Sequence, residues 1–504
     1  MNAKRILSLV LALVMLCSLF LVSCSKEEQK QTQAAINNIA DNSDDANSKY
    51  DAKIKNLNGH EFRFVVRNTT ASHLSVNEVY AEGMNGDKVN DAVYARNSQL
   101  QKEYNCTIVE DRRSNVSGAV REPLIAGEYV ADILASTAMS LRSLAAATLV
   151  ADIGEIESTG AINLQKTWWD PNGMTGMNVG GKIFFVNGDG LTLDDRAAWI
   201  MFFNKDWVEE YDPNLNLYDK VEKGEWTIDL MYEIMINTAK DLDVDGVMTA
   251  KKDRFGYIGE RFNNWVHVNG CGETLSRISS SGEFEIPAQP KTELLTIWEK
   301  LRPLLTTPTR LVDDAGSLFR AGLSTFFSCN TGTILNAAST TISLGVLPLP
   351  KLNAEQDKYY NGVSYAQLGC FAIPTTTDNC EDWESNGFGS GREQAAYFLE
   401  AFCYQSMRHL TPAFYGEVIL KQSIRDVESA KMVEYAMENK VYDPVVGYDF
   451  GKLLMLFYEV GSPNNEAPGS DAAYDTFVST YESRYTAARK ALQDYMNYIN
   501  TEAA

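Results

Sequence analysis

Histidine and closely spaced cysteine are what this 504-residue chain has least of. Its four histidines, His60, His73, His267 and His409, stand far apart, and none belongs to an H-E-x-x-H pair of zinc ligands with a general base. Eight cysteines are present, but no two form a C-x-x-C pair, so zinc ribbons and dithiol redox chemistry are disfavoured. No G-x-S-x-G elbow and no Walker lysine appears, which removes two common hydrolase signatures. The run GFGSGR at Gly387–Arg392 lacks the full spacing of a dinucleotide loop and follows an acidic loop instead of a strand. Positive charge is also short. Lys and Arg number 45 against 67 Asp and Glu, a net charge of −22 with no basic patch that stands out, so nucleic acid is a poor candidate partner. Anionic polymers are repelled at long range, and the acidity suits solubility at a cell surface.

What is present begins with an address. Residues 1–23 have a basic start at Lys4 and Arg5 and then an uncharged apolar run, as a secretory signal does. The residues Leu21-Val22-Ser23-Cys24 resemble the lipobox of bacterial lipoproteins, which implies cleavage before Cys24 and lipidation of that residue. Loss of Lys4 and Arg5 would take the mature chain to −24. Residues 24–58 carry almost no large apolar side chains and read as a flexible tether, because they bury too little to offset their ordering entropy. The expected location is the extracytoplasmic face of the cell membrane, held by lipid. The other six cysteines (Cys106, Cys271, Cys329, Cys370, Cys380 and Cys403) are scattered and read as buried free thiols.

From His60 the apolar pattern alternates in period. HEFRFVVRN, CTIVED and VADILAST read as strands, separated by the helical patterns VNDAVYARNSQLQKEYN and VREPLIAGE and followed by a helical MSLRSLAAATLV. That rhythm belongs to a parallel sheet covered by helices. Further on, GKIFFVNGDG and AAWIMFFNK read as strands around a polar loop, LTLDDR. WTIDLMYEIMINTAKDL and KTELLTIWEKLRPLL read as helices, and AGSLFRAGLSTFF leads into a strand through Cys329. ISLGVLPLPK and GVSYAQLGCFAIP read as strands, and the last third is mostly helical. A chain this long exceeds one core and suits two α/β lobes.

The order of these segments resembles the extracellular solute-binding proteins of ABC importers, in the group that includes maltose-binding protein. The resemblance rests on DILASTAMSLRSLAAATLVADI, on GKIFFVN followed by AAWIMFFNKDWVEEY, and on GEWTIDLMYEIMINTAKDL. It continues through LFRAGLSTFFSCN, LGVLPLPK, LGCFAIPTTTDNCEDW and REQAAYFLEAFCYQS, covering nearly all of the mature chain. The tail, with Arg425, Asp426 and Ser429, is similar to a clostridial-type subgroup. The resemblance implies an α/β, two-lobe periplasmic-binding-protein-like fold (type II) with a helical C-terminal region. Lobe 1 would comprise residues 59–190 and 361–410, and lobe 2 residues 191–360 and 411–504. It further implies a monomer that is no enzyme, that captures a sugar or oligosaccharide between the lobes, and that delivers it to the transmembrane subunits of an ABC permease. A receptor for a peptide or an anionic metabolite is the alternative, and a surface glycan hydrolase or lyase a more distant one.

Two sets of residues carry chemistry. Asp241, Asp243 and Asp245 alternate before Gly246, as in a calcium-binding loop, with Val247 offering a carbonyl and Thr249 a side chain or water. Lys252 stands where that loop wants a bidentate glutamate, and Asp253 follows as a substitute. A structural calcium ion is the expectation. For the ligand, a sugar needs aromatic faces and hydroxyl partners. Trp168, Trp169 and Trp265 precede turn residues, and Asp170, Asp189, Asn269, Asn330 and Tyr365 lie at segment ends. The resemblance adds Ser136 and Thr137, and Arg196 would suit an acidic sugar.

Overall fold

The computed structural model describes residues 46–70, 75–260, 262–278, 284–287, 292–312, 316–340, 342–380, 382–416, 426–453 and 471–502. The signal, Cys24, most of the tether and Arg425 lie outside these residues. Among the described residues no helix is long and apolar enough to cross a membrane.

The first lobe forms as its periodicity dictates. Strand β1 (His60–Arg67) alternates exposed and buried side chains before becoming wholly apolar at Val65 and Val66. Helix α1 (Lys88–Tyr104) starts where the Asp87 carboxylate accepts the Asn90 N–H and stops at Asn105, whose φ of 50° turns the chain left-handed. Strand β2 (Cys106–Arg113), helix α2 (Val116–Ile125), strand β3 (Ile133–Thr137) and helix α3 (Ala138–Ala145) follow, and then a short helix α4 (Pro171–Met177) capped by Asp170.

The chain then passes to a second sheet through strand β4 (Trp199–Asn204). Helix α5 (Ile228–Thr238), strand β5 (Phe255–Gly259), helix α6 (Asn263–Gly270) and helix α7 (Thr292–Thr306) come next. Strands β6 (Arg310–Val312), β7 (Ser324–Asn330) and β8 (Leu344–Leu347) complete that sheet. A two-residue strand β9 (Asn361–Gly362) precedes β10 (Gly369–Ala372) and the long helix α8 (Gly391–Thr411), both in the first lobe. Helix α9 (Val427–Glu438), strand β11 (Lys440–Val441) and helix α10 (Asp471–Glu502) end the chain.

The first sheet has the order β10-β3-β1-β2 and the second β8-β4-β7-β5-β6. Strands β1, β2 and β3 are parallel, and β10 returns antiparallel with Gly369 opposite Thr137. In the second sheet β7, β5 and β6 are parallel while β4 runs against both β7 and β8. The molecule is therefore the expected two-lobed α/β fold. On the outer face of the first sheet Phe62 stacks on Phe398 of α8, with ring centroids 3.7 Å apart. Its other face shares one apolar cluster with the second lobe.

Three segments differ from their sequence reading. Residues 181–190 make only isolated bridges, Val186 to Phe371 among them, because Gly180 and Gly181 (φ 64° and 79°) fold the chain back at once. Helix α5 ends at Thr238, where the Arg254 guanidinium takes the Thr238 carbonyl at 2.7 Å, so Leu242 is exposed. The run 362–374 is broken between β9 and β10 by a turn that carries the chain between lobes. GFGSGR has a local purpose: Ser390 caps α8 by accepting the Glu393 N–H, and the Glu393 carboxylate accepts the Gly389 N–H in return.

Candidate functional site

Three stretches of chain meet between the sheets: residues 187–198 into β4, 363–368 back into β10, and 411–416 at the end of α8. Their polar side chains converge. On the first stretch lie Asn187, Asp189, Thr192, Asp194, Asp195 and Arg196; on the second Tyr365; on the third Thr411, Phe414 and Tyr415. Asp170, at the start of α4, and Lys440 and Tyr442, at β11, close the ring.

One buried ion pair centres it. Lys440 Nζ lies 2.6 Å from Asp170 Oδ2, with both side chains over nine-tenths enclosed. Tyr442 donates its hydroxyl to the same oxygen at 2.7 Å, and Asp170 Oδ1 accepts the Asn172 and Gly173 amides. Burial alone would raise the Asp170 carboxyl, but the adjacent Lys440 ammonium, the Tyr442 hydroxyl and the Gly173 amide together outweigh it and hold Asp170 below the ordinary carboxylate range. Asn187 Nδ2 bridges Asp170, Asp194 and Tyr442 at 3.1–3.4 Å.

The remaining carboxylates are not matched in this way. Burial pushes the half-buried Asp189 up to about 7, although Thr411 donates a hydrogen bond to it at 2.6 Å. Asp194, 2% exposed, is raised well above its ordinary value by burial and by Asp195 beside it, and among the described residues its Oδ1 accepts no hydrogen bond. Asp195 is raised by burial too, with Tyr415 donating to it. Arg196 is engaged already, since its Nη2 donates to buried Glu78 at 2.9 Å. Asp195, Arg196, Thr331, Ile334, Phe414, Tyr415, Val433 and Met437 line a cavity of about 10 Å³, room for roughly one water. Among the described residues, the lobes touch through these side chains.

The structure thus gathers four of the expected ligand residues, Asp170, Asp189, Arg196 and Tyr365, at the crossings. Tyr365 donates to the Asp443 carbonyl and accepts the Asp443 N–H. Asn330 ends β7 beside the cavity residue Thr331, paired in register with Trp199. Ser136 and Thr137 end β3, both buried, and among the described residues the Ser136 hydroxyl has no hydrogen-bond partner. The tryptophans lie elsewhere: Trp168 and Trp169 are enclosed in the first lobe's outer core and Trp265 in the core that includes the second lobe. Asn269 is buried in α6, donating to the Glu273 carbonyl at 2.9 Å. Glu78, Asp194, Asp195, Tyr415, Lys440 and Tyr442 went unnoticed in sequence. The Asp-Asp-Arg of LTLDDR, a charged run entering an apolar strand, was the signal for two of them.

The acidic loop lies apart, after α5. Asp241 accepts the Val244 and Gly246 amides, each at 2.7 Å, and buried Asp253 accepts those of Leu242 and Thr249. Carboxylate oxygens of Asp241, Asp243 and Asp253 lie within 4.8 Å of one another. Asp245 accepts the Val247 N–H, Thr249 Oγ1 approaches the Val247 carbonyl at 3.4 Å, and Lys252 Nζ sits 3.0 Å from Asp243.

No family model matches the chain, and no curated protein matches it. Among solved structures it is similar to the GacH receptor of Streptomyces glaucescens, described unliganded and with acarbose, at 11% identity over 87% of this chain and 99% of that one, with a TM-score of 0.49. It is equally similar to an ABC substrate-binding protein of Listeria monocytogenes in complex with cycloalternan, at 11% identity over 88% of this chain and 99% of that one, with a TM-score of 0.49.

Proposed function

We propose that this protein is the substrate-binding component of an ABC importer, capturing a sugar or oligosaccharide between its lobes and presenting it to a membrane permease. The observation that carries the reading is the convergence, where three chain crossings meet, of enclosed polar side chains with unsatisfied acceptors. Such a site exchanges its internal hydrogen bonds for those of a polyhydroxyl ligand, and the ligand shifts the population from open to closed lobes. An anionic metabolite fits less well, because the nearby cations are already engaged, Lys440 by Asp170 and Arg196 by Glu78. A thermal-shift screen over neutral sugars and glycans tests it: a bound sugar raises the melting temperature by mass action, without being consumed. Turnover of a glycan would make the protein an enzyme instead, and no shift with any sugar would overturn the reading.

The same reading places lipid on Cys24, since two or more acyl chains give stable anchoring where one is marginal. Cys24→Ala should leave unprocessed or released protein, and unchanged membrane attachment would refute the assignment. Calcium would be held by Asp241, Asp243 and Asp253, supported by the Val247 carbonyl and Thr249, with Asp245 and Lys252 at its edge. The all-oxygen donor set fits a hard cation, which would act as a clip between α5 and β5.

A further inference from the structure

At the end of the first sheet remote from the cleft, the first residue of β1 meets the loop before α8. His60 Nδ1 lies 2.6 Å from Asp382 Oδ2 and 4.0 Å from Cys380 Sγ, and Cys380 Sγ lies 3.0 Å from Asp382 Oδ1. One ligand atom from each residue falls within 4.8 Å of the others. The second imidazole nitrogen, Nε2, faces Asp132 Oδ1 at 3.3 Å. Asp132 is itself fixed, its Oδ2 accepting the Arg63 N–H and the Tyr129 hydroxyl, both at 2.8 Å. A carboxylate behind an imidazole orients the ring and raises the basicity of the nitrogen that points away from it.

We propose that His60, Cys380 and Asp382 form a binding site for a borderline divalent cation of the zinc class, with Asp132 as the outer partner of His60 and a fourth position open to water. The donor set selects the metal: imidazole, thiolate and one carboxylate suit zinc, whereas calcium and magnesium take oxygen alone. The spacing is close to what the ion needs. Tetrahedral bonds of about 2.0–2.3 Å set neighbouring donors roughly 3.3–3.8 Å apart. The Cys380–His60 distance lies just beyond that range, and Asp382 must move away from His60 by about 1 Å and from Cys380 by about 0.5 Å. Asp382 is free to do so, because its side chain is 41% exposed and sits on a loop. Binding releases the Cys380 proton and the proton held between His60 Nδ1 and Asp382, since the thiolate and an unprotonated imidazole nitrogen are the ligands. A nucleophilic Cys-His pair is the competing use of these residues, but Asp382 stands closer to Nδ1 than the thiol does. The other described cysteines are all buried and have no such neighbours in a ligand cluster. An ion here would tie the start of β1, directly after the tether, to the segment leading into α8, and so brace the lobe where it is pulled toward the membrane.

Cobalt(II) is the probe. The full-length protein, freed of metal by chelation, should bind one equivalent with a thiolate-to-cobalt charge-transfer absorption that zinc abolishes by displacement. Cys380→Ser should remove the absorption while leaving the circular dichroism unchanged, and Asp132→Asn should weaken cobalt about 10–100-fold. Calcium at the acidic loop gives no such band, so the two sites are told apart. Absence of the band in the native protein, or its survival in Cys380→Ser, overturns the proposal. If Cys380→Ser does not fold, alkylation of native Cys380 decides: zinc should protect the thiol, and equal labelling with and without zinc overturns the site.

Discussion

Trp168 packs edge-on against Tyr404 with ring centroids 5.1 Å apart, and Trp169 donates its indole N–H to the buried Glu400 carboxylate at 2.9 Å. Both rings are at most 2% exposed, so alanine at either position leaves a cavity. Trp168→Ala should cost about 3–5 kcal/mol in denaturant unfolding, with the affinity for a screened sugar nearly unchanged. A large loss of affinity with little loss of stability would return this tryptophan to the recognition surface. Asp189 and Asp194 make a second prediction at this scale. Burial raises both in the folded protein, so the folded state holds protons that the unfolded state has released. Stability should therefore fall as pH rises from the ordinary carboxyl range through about 7, the reverse of acid denaturation. Lys440 opposes this rise and Asp170 and Asp195 reinforce it, while Thr411 donates to Asp189. Glu400, pushed up to about 7 by burial, contributes in the same window, so the informative quantity is the difference that Asp189→Asn makes. That variant should flatten the melting temperature against pH, and an unchanged slope would mean that solvent reaches Asp189 and screens it. Sequence gave no access to either effect, because a tryptophan beside a turn and an aspartate at a segment end have no burial until the lobes are assembled.

Elements whose apolar faces repeat regularly were legible in advance. The alternation through Phe62, Phe64 and Val66 and the helical spacing of Val93 and Leu100 gave β1 and α1 within a residue or two. Residues 181–190 were not legible: GKIFFV has strand composition, but two left-handed glycines leave it without a continuous partner. The acidic loop between α5 and β5 was legible as a turn, because Gly246 sits at a φ of 81° and Asp241 accepts two loop amides. Its proposed ion has a direct test. Asp243 is exposed and already drawn down by its hydrogen bond to Lys252, so an added cation must compete with that ammonium. Calcium should raise the melting temperature and chelation lower it, with sugar affinity unaffected. Lys252→Gln should strengthen the calcium response by removing the competitor. Identical melting curves with and without calcium, in both proteins, would leave the loop as a turn held by its own hydrogen bonds.

Across the whole molecule, the segment Lys440–Asp443 joins the lobes. Lys440 and Tyr442 hold Asp170 of the first lobe, while an Asp443 carboxylate oxygen accepts the Leu275 N–H of the second at 2.5 Å. Helix α10 adds a strap, its Tyr495 hydroxyl donating to the Ala145 carbonyl of the first lobe at 3.2 Å and its Ala488 lying under Gly451. Contact between the lobes therefore includes a buried charge pair. Lys440 is the cation nearest to a ring of carboxylates, and the low-dielectric interior makes its loss expensive: removing one partner of a buried pair costs about 3–5 kcal/mol. Lys440→Met keeps the stem's volume and leaves Asp170 with only neutral donors. Opening relieves this, because water then reaches Asp170 and Asp194, so the penalty falls on the closed form and not on either lobe's core. The variant should show a larger radius of gyration by small-angle scattering without ligand, and a lower apparent affinity for the screened sugar, since a smaller fraction is competent to bind. Asp170→Asn in the same background should restore part of the closure by removing the uncompensated charge. If Lys440→Met unfolds both lobes together with no opening beforehand, the pair is a core element of the fold and the hinge is governed by other contacts.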